Sequence, residues 1–358
     1  MDKIIIDKNK AGIRIDKFLS SFAKDLADKK EGVFFNDKIT RGQIIRNIKS
    51  GNILVNNKTV KPSYSLKEND ELEINLEENN SEIISNKEIK LEVIFQDENI
   101  IVVNKPAGLQ VHPDQHEKNN TLVNALVASW PEIKNVGDPS TNSGQVNMRP
   151  GIVHRLDKDT SGIIVAARNQ KTFEELKKRF KTRQMKKIYW AIVFGNLGKP
   201  GSSGVIDKPL ARASSYRKQV VAGRKTQTKV RTAVTEYKVL KSGENFSLLE
   251  VSPKTGRTHQ IRVHLFSVGH PIVGDKIYIN KEAKKQGSKG SAGNAMRSSA
   301  ARQMLHAKSL EFELEGKRYA FITEPPRDFQ EILASLLHGN DNVLVAGSRN
   351  VRPNQLRY

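Results

Sequence analysis

Hydrophobic positions recur along this chain in two periods, and each period predicts its own kind of element. Near the start, Ile15, Phe18, Leu19 and Phe22 fall at helical spacing and give residues 14–22 one apolar face. After a charged loop, Thr40 is placed to cap a second helix whose Ile44, Ile45 and Ile48 turn inward, and Gly51 is placed to end it. Residues 52–55 and the segment after Asn56-Asn57 read as a hairpin, because an Asn pair accepts the positive φ of a tight turn. Short strands continue through 62–74, with a turn at Glu68-Asn69-Asp70. From residue 91 the pattern changes to β-rich apolar runs at 93–95, 100–103, 163–167, 188–194 and 246–251. A helix over 172–185 carries Phe173, Leu176 and Phe180, with Thr172 and Glu175 spaced as a capping box. Another is capped by Thr258, carries Ile261, Leu265 and Val268, and closes at Gly269 before Pro271.

This succession predicts an α+β protein. Residues 91–335 form the main domain, a mixed or largely antiparallel sheet with flanking helices, and residues 1–76 form a small N-terminal α/β module. The polar, acidic stretch 77–90 reads as a linker. The Gly-, Ser-, Ala- and Lys-rich stretch within 280–302 reads as a flexible insertion, and 336–358 as a fraying tail.

Charge narrows the partners. The 358 residues carry 60 Lys+Arg against 39 Asp+Glu, a formal net charge of +21. Such a field attracts polyanions, and nucleic acid is favoured over a membrane surface because no basic amphipathic helix stands out. In the small module Arg14, Lys17, Arg41, Arg46, Lys49, Lys58 and Lys61 lie off the apolar pattern, as a solvated face or as a grip on a phosphate backbone. No apolar run reaches the length of a membrane span, and the first residues lack the apolar stretch of a secretory signal. With no cysteine there is no disulfide, thiol nucleophile or thiolate metal site, which fits a reducing cytoplasm.

Three polar stretches carry candidate chemistry. In 154–162 (HRLDKDTSG), extended backbone would send Arg155 and Asp157 to one face and His154 and Leu156 to the other, with Thr160-Ser161-Gly162 turning before the next strand. Read alone, this stretch favours Asp157 as a turn residue paired with Lys158 or Arg155. Residues 187–191 (KIYWA) place Tyr189 on a strand, where a half-buried core role is the ordinary one. Residues 254–264 (KTGRTHQIRVH) put Arg262 beside a helical apolar stripe, within reach of a neighbouring site or of the surface. His154 reads as a structural hydrogen-bonding side chain, His259, His264 and His306 as structural or RNA-contacting ones, and Gly108, Gly162 and Gly256 as turn residues. The histidine spacing does not give HExxH, so no zinc site is expected. No Walker loop, dinucleotide loop or GxSxG elbow occurs either.

Together these stretches resemble the motifs of the large-subunit ribosomal RNA (RluA/RluD-like) pseudouridine synthases. HRLDKDTSG resembles the segment bearing the family's catalytic aspartate, and KKIYWAIV the segment bearing its active-site tyrosine. TGRTHQIRVH followed by GHPIVGD resembles the segment bearing its arginine, and 103–109 (VNKPAGL) an early NKPAG motif. The resemblance covers roughly residues 91 to 329, and four ordered motifs make chance agreement remote. Separately, 14–74 resembles the alpha-L RNA-binding module. Carried over residue by residue, the resemblance implies Asp157 as nucleophile, Tyr189 as active-site tyrosine and Arg262 as partner of the aspartate. It implies Arg155 as a residue that helps rearrange the target loop. From their charge and placement, Arg14, Lys17, Arg41, Lys49, Lys105 and Arg257 are expected as further RNA contacts. Lys105 reads as a phosphate contact or as plain surface. The long, low-complexity stretch 280–302 departs from the family and leaves the motifs intact.

The chemistry is consistent with these residues. Isomerising uridine breaks N1–C1′ and joins C5 to C1′, with no atoms gained or lost, so neither a redox cofactor nor a nucleotide cofactor is called for, nor a metal. The uridine must leave its stack, which suits a basic protein that splays RNA. A guanidinium beside Asp157 would favour its charged form, and Tyr189 would offer the uracil a flat face and a hydroxyl that could assist removal of the C5 proton. Attack of Asp157 at C1′, attack at C6, and elimination through a glycal all stay open. Large-subunit ribosomal RNA is the expected partner, no membrane is, and a monomer is the default. A transfer-RNA target, a non-catalytic assembly protein and a nucleoside glycosylase are the alternatives.

Overall fold

The computed structural model describes residues 2–29, 41–75, 83–114, 116–138, 149–213, 218–223, 226–279 and 300–337. They fall into two compact units: Met1–Lys90, His112–Ile152 and Ala167–Phe173 in one, and Leu91–Val111, Val153–Ala166 and Glu174–Tyr358 in the other.

The first unit opens with β1 (Asp2–Ile5), α1 (Ile15–Lys29), α2 (Arg41–Ser50), β2 (Ile53–Val55) and β3 (Glu71–Ile74). The helical spacing delivers Ile15, Phe18 and Leu19 from α1 and Ile44 and Ile48 from α2 into one core with Ile53 and Leu72. Ile45 is only half-buried. Gly51 ends α2 at φ +82° as expected, while Thr40 lies outside the described residues. The hairpin is corrected. Asn56 and Asn57 do take φ of 50° and 60°, but beyond them only a single bridge forms, between Val55 and Lys58. The ladder of β2 goes to β3, which β1 flanks on its other edge. Lys58 to Pro62 offers one apolar side chain, Val60, among polar ones and a proline, whereas β3 brings Leu72 and Ile74 to the core. Among the elements that escaped the sequence pattern are β1 and α3 (Leu122–Ser129), whose capping box is made by Thr121 and Asn124.

The second unit is built on a nine-stranded mixed sheet. Its strands are β4 (Glu92–Gln96), β5 (Ile100–Lys105), β6 (Ser161–Ala167), β7 (Lys186–Phe194), β8 (Ser203–Asp207), β11 (Val234–Ser242), β12 (Phe246–Pro253), β13 (Leu305–Leu314) and β14 (Lys317–Ile322). Two short strands, β9 (Leu210–Arg212) and β10 (Gln219–Val221), pair separately. The spatial order is β4-β5-β6-β13-β7-β12-β11-β8, with β14 on β13. β13 pairs in parallel with β6 and antiparallel with β7 and β14. Ala191, Ile192 and Val193 of β7 are all buried, so the centre of the sheet is covered on both faces. Its core also takes Ile261 and Leu265 from α5 (Gln260–Ser267) and Phe329 from α6 (Arg327–Leu337).

Helix starts differ from expectation. In α4 (Gln170–Lys181) the Asn169 side chain accepts from the Thr172 N–H at 2.9 Å, so Asn169 caps the helix and Thr172 lies inside it. Glu175 pairs with Arg179 one turn on, at 2.8 Å. Likewise α5 begins after His259, not Thr258. Gln260 to Leu265 are all buried, so α5 has no solvent face on which Arg262 could reach the surface. Most of the expected insertion, 280–299, and the tail from 338 lie outside the described residues. Arg302, at the insertion's far end, is buried and paired with Asp328 at 2.6 Å. Among the described residues no helix is long and apolar enough to cross a membrane, and no group of three or more potential ligands could hold a metal ion.

Candidate active site

Every element that positions Asp157 belongs to the second unit. Val153 to Asp157 lies outside any helix or strand, and its burial follows the expected alternation: Leu156 is buried, Arg155 is exposed and Asp157 is half-buried. His154 turns inward, accepts from the Val165 N–H at 3.0 Å and stacks on Phe180 at 4.6 Å. Burial lowers its pKa to about 3, so it is a neutral structural residue.

The backbone after Asp157 is fastened at each carbonyl. Asp157 O accepts from Thr160 N–H at 3.1 Å, and Lys158 O from Gly108 N–H at 3.0 Å. Asp159 O accepts from Arg302 at 3.1 Å. The turn is therefore Lys158-Asp159, and Ser161 and Gly162 already belong to β6. Gly162 is needed there for a different reason than a turn. Its φ is +115°, and a Cβ would lie 2.3 Å from the Ala307 carbonyl oxygen of β13.

Lys105 completes this loop from below, and its expected role as a phosphate contact is overturned. The side chain is fully buried, and its ammonium donates to the carbonyls of Pro106, Leu109 and Lys158 at 2.7, 2.8 and 3.0 Å. Three carbonyls use all three of its protons. Burial lowers its pKa to about 7, against the pull of Asp159 and Asp157. The residue ties the NKPAG turn to the loop that carries Asp157.

Asp157 is met by Arg262, not by Lys158 or Arg155. Arg262 Nη1 donates to Asp157 Oδ2 at 2.9 Å. The other edge of the guanidinium grips Asp275 with two bonds, Nε to Oδ2 at 2.7 Å and Nη2 to Oδ1 at 2.9 Å. Asp275 Oδ1 also accepts from the N–H groups of Ile277 and Tyr278 at 2.8 and 3.0 Å. Burial works against the charge on Arg262, but the Asp275 hydrogen bonds and the two carboxylates hold it well above the ordinary range. Two carboxylates thus share one cation, and Asp157 is the more exposed of the two at 16% against 0%.

The helix that presents Arg262 is itself anchored by a chain of polar contacts. Gln260 accepts from Thr255 Oγ1 at 2.6 Å and donates to Val234 O and Thr235 Oγ1 at 2.9 and 3.0 Å. His264 must donate from Nε2 to the Lys208 carbonyl at 2.9 Å, so its Nδ1 accepts from Thr235 Oγ1 at 2.8 Å. Burial lowers the His264 pKa, in keeping with a neutral ring.

Tyr189 stands on β7 with its ring half-buried. Burial pushes its phenol up, and the charge of Asp157 adds to the shift. A retained phenolic proton suits a donor and a stacking face, and it argues against a phenolate base. Tyr278 packs its ring 5.2 Å from the Arg262 guanidinium carbon, and burial raises its pKa to about 12. Neither Asp275 nor Tyr278 was singled out from the sequence. Their only signal was the GHPIVGD segment and the tyrosine three residues past its end.

The expected RNA contacts separate by unit. Arg155 is exposed near Asp157, and Arg257 is partly engaged by the Thr232 carbonyl at 3.1 Å. In the first unit Lys17 and Lys49 are exposed, whereas Arg14 and Arg41 both hydrogen-bond the buried Asp16, Arg14 Nε at 3.0 Å and Arg41 Nη2 at 2.5 Å. Burial opposes the charge of Asp16, and the two guanidinium groups outweigh it and lower its pKa. Each arginine still shows about half its side chain, 44% and 52% exposed.

Comparison with known proteins agrees with this architecture. Residues 99–267 match the RNA pseudouridylate synthase family and residues 38–72 the S4 domain. The chain is 38% identical over 261 residues to ribosomal large subunit pseudouridine synthase D of Zymomonas mobilis, covering 72% of this chain and 76% of that protein. It is 32% identical over 338 residues to the protein of the same name from Borreliella burgdorferi, covering 93% of this chain and 92% of that one. A solved structure, human RNA Pseudouridylate Synthase Domain Containing 4, matches with a TM-score of 0.50 at 28% identity, over 68% of this chain and 92% of that chain. The aspartate and arginine that the motifs pointed to are in contact, on a fold these proteins resemble, and the chain belongs to the RNA pseudouridine synthase family of isomerases, with an S4 domain at its N-terminus.

Proposed function

We propose that this protein isomerises specific uridines of large-subunit ribosomal RNA to pseudouridine, with Asp157 as the acting carboxylate. The observation that carries this reading is the unequal use of its two oxygens. Oδ2 is held by Arg262, while Oδ1 accepts no hydrogen bond among the described residues and the side chain keeps partial access to solvent. A sugar brought to that oxygen meets a negative charge whose direction is fixed by the Arg262–Asp275 fork. The uridine leaves its stack to get there, at an unstacking cost of a few kcal/mol. Tyr189 offers the extruded uracil a flat face. The base departs from C1′, turns, and returns through C5, whose proton is lost while N1 gains one, so the product is an isomer of the substrate. The names of the Zymomonas and Borreliella relatives support ribosomal RNA as the target. The S4 domain, with Lys17, Lys49 and the outer edges of Arg14 and Arg41, supports a phosphate grip that orients the RNA.

The test is carbodiimide-based primer extension on large-subunit ribosomal RNA from cells with and without the gene, complemented by wild type or by Asp157→Ala. Loss of a defined pseudouridine, restored by wild type alone, is expected, with RNA affinity of the variant unchanged. Residual modification by Asp157→Ala would remove Asp157 from its role, and a missing site in transfer RNA would redirect the target.

A further inference from the structure

Beside the arginine contact, Asp157 faces His259, whose geometry the uridine chemistry leaves unused. His259 precedes α5 in the left-handed region, with φ 55° and ψ 18°, and its side chain makes no capping bond to the helix. A non-glycine residue held there is uncommon. Its Nδ1 lies 2.9 Å from the Tyr278 hydroxyl, and its Nε2 lies 4.0 Å from Asp157 Oδ1.

The proton positions follow from the partners. The Tyr278 hydroxyl already accepts from the Gln219 N–H at 2.9 Å, and its own proton has no other acceptor among the described residues than His259 Nδ1. Were Nδ1 protonated, the hydroxyl of this buried tyrosine would be left without an acceptor, an arrangement that folded proteins avoid. Tyr278 therefore donates to Nδ1, and the proton of the neutral imidazole sits on Nε2. Burial lowers the His259 pKa, with Asp157 pulling the other way, which agrees with a neutral ring. The site thus presents an N–H donor and a free carboxylate oxygen that face each other across 4.0 Å. That is too far for a direct hydrogen bond, but an atom about 2.8 Å from each closes the triangle. Such a group must accept from Nε2 and donate to Oδ1. A carbonyl cannot donate and an amine N–H cannot accept, whereas a hydroxyl does both.

On a ribonucleotide whose C1′ approaches Asp157, the nearest hydroxyl is the one on the adjacent carbon. We infer that His259 and Asp157 together hold the ribose 2′-hydroxyl of the target uridine, His259 Nε2–H donating to it and it donating to Asp157 Oδ1. The pair would then select RNA over DNA at the reacting nucleotide, because the 2′-hydroxyl is the group that distinguishes them. It would also register the sugar against the carboxylate. This inference rests on the uridine isomerisation proposed above.

The experiment uses the full chain and a synthetic RNA carrying the mapped target uridine, alongside the same RNA with 2′-deoxyuridine at that one position. Single-turnover rates are measured for wild type, His259→Asn and Tyr278→Phe. Asparagine tolerates the left-handed backbone and is too short to reach the gap, so His259→Asn tests the contact with little strain. Removing the 2′-oxygen also changes the sugar's own reactivity, so the quantity read is the ribo-to-deoxy rate ratio of each variant relative to wild type. Loss of one such bridge predicts that this ratio falls roughly tenfold or more in His259→Asn. Tyr278→Phe, which leaves the ring but frees its tautomer, should fall in between, with RNA affinity unchanged for both. A His259→Asn enzyme that keeps the wild-type ratio overturns the inference. So does a wild-type enzyme indifferent to the 2′-hydroxyl. A wild-type enzyme inactive on every RNA overturns instead the uridine reading itself. Should His259→Asn fail to fold, an unchanged ratio in Tyr278→Phe counts against the inference and a reduced one for it.

Discussion

Arg262 touches Asp157 with one nitrogen because Asp275 holds its other two hydrogen-bonding nitrogens: Nε and Nη2 lie 2.7 and 2.9 Å from the Asp275 carboxylate, and Nη1 reaches Asp157 at 2.9 Å. Asp275 is in turn fixed by the N–H groups of Ile277 and Tyr278. The fork therefore sets the angle at which Nη1 meets the Asp157 carboxylate.

Replacing Asp275 with asparagine keeps the size of the group but turns one acceptor into a donor facing a guanidinium. The fork is lost and Arg262 is free to settle on both oxygens of Asp157, covering the one left open. We expect Asp275→Asn to lower the single-turnover rate about a hundredfold, the order expected from a misplacement of about 1 Å. RNA affinity, read by filter binding, should stay near wild type. A variant with near-normal rate would show that Arg262 holds its aim without Asp275.

Lys105 gives a prediction that separates its buried role from the surface role the sequence suggested. Lys105→Met keeps the length of the side chain and removes its three donors, leaving the carbonyls of Pro106, Leu109 and Lys158 without that partner. Unfolding in urea should show a loss of about 2–4 kcal/mol, and the turnover rate should fall as the Asp157 loop loosens. The RNA dissociation constant and its slope against salt should not change, since no phosphate contact is removed. A reduced salt slope in Lys105→Met would return Lys105 to the RNA surface.

These two residues show where the sequence was legible and where it was not. Period-2 and period-3.6 patterning located β4, β5, β6, β7 and β12 of the main sheet and the faces of α1 and α2, because their apolar side chains pack locally in register with the backbone, but it did not locate β8, β11, β13 or β14. The motifs located Asp157 and Arg262. Lys105 was misjudged because an ammonium is ordinarily exposed, and what makes its burial tolerable is a set of carbonyls, one of them 53 residues away. Asp275 was missed for a similar reason: 13 residues separate it from Arg262, and no periodicity announces that a turn will bring a carboxylate back to the helix. Asp157 read alone looked like a turn acid, since its partner lies 105 residues on. Propensity and patterning report local order, and the charges of this site are balanced by contacts distant in sequence.

Gly162 tests the junction between the Asp157 loop and the sheet. An alanine Cβ would lie 2.3 Å from Ala307 O and 2.6 Å from Ala307 N, both main-chain atoms of β13 that cannot swing aside. The φ of +115° is also strained for any L side chain. Gly162→Ala should therefore cost roughly 3 kcal/mol in urea unfolding and pull β6 from its parallel pairing at His306 and Ala307. Hydrogen exchange across residues 161–167 should accelerate by a similar free energy. Wild-type stability for this variant would mean that β6 and β13 do not approach so closely.

The buried histidines predict how stability depends on pH. Burial lowers His154 to about 3 and His306 to about 4, and it shifts His259 and His264 in the same direction. In the unfolded chain an imidazole titrates near 6.5, so between about 6.5 and 4 the unfolded state binds protons that the folded state refuses. A depressed histidine thus leaves stability intact above about pH 6.5 and erodes it as pH falls, by up to about 1.4 kcal/mol per pH unit per histidine. The lowered Asp16 and Asp328 act with the same sign, but only below the ordinary carboxylate range near 4. Lys105, lowered to about 7, erodes stability in the same direction and is nearly spent by about pH 6, which leaves the step from pH 6.0 to 5.0 to the histidines. Urea midpoints at pH 7.5, 6.0 and 5.0 should fall progressively. His306 holds Ser161 Oγ at 3.0 Å and faces the Thr323 carbonyl at 3.3 Å, so His306→Gln lowers the absolute midpoint and also makes the fall less steep. A midpoint flat from pH 7.5 to 5.0 in the wild type would mean that these rings take up protons in the folded protein after all, and with them the neutral hydrogen-bond chains through Ser161, Thr235 and Tyr278 would have to be redrawn.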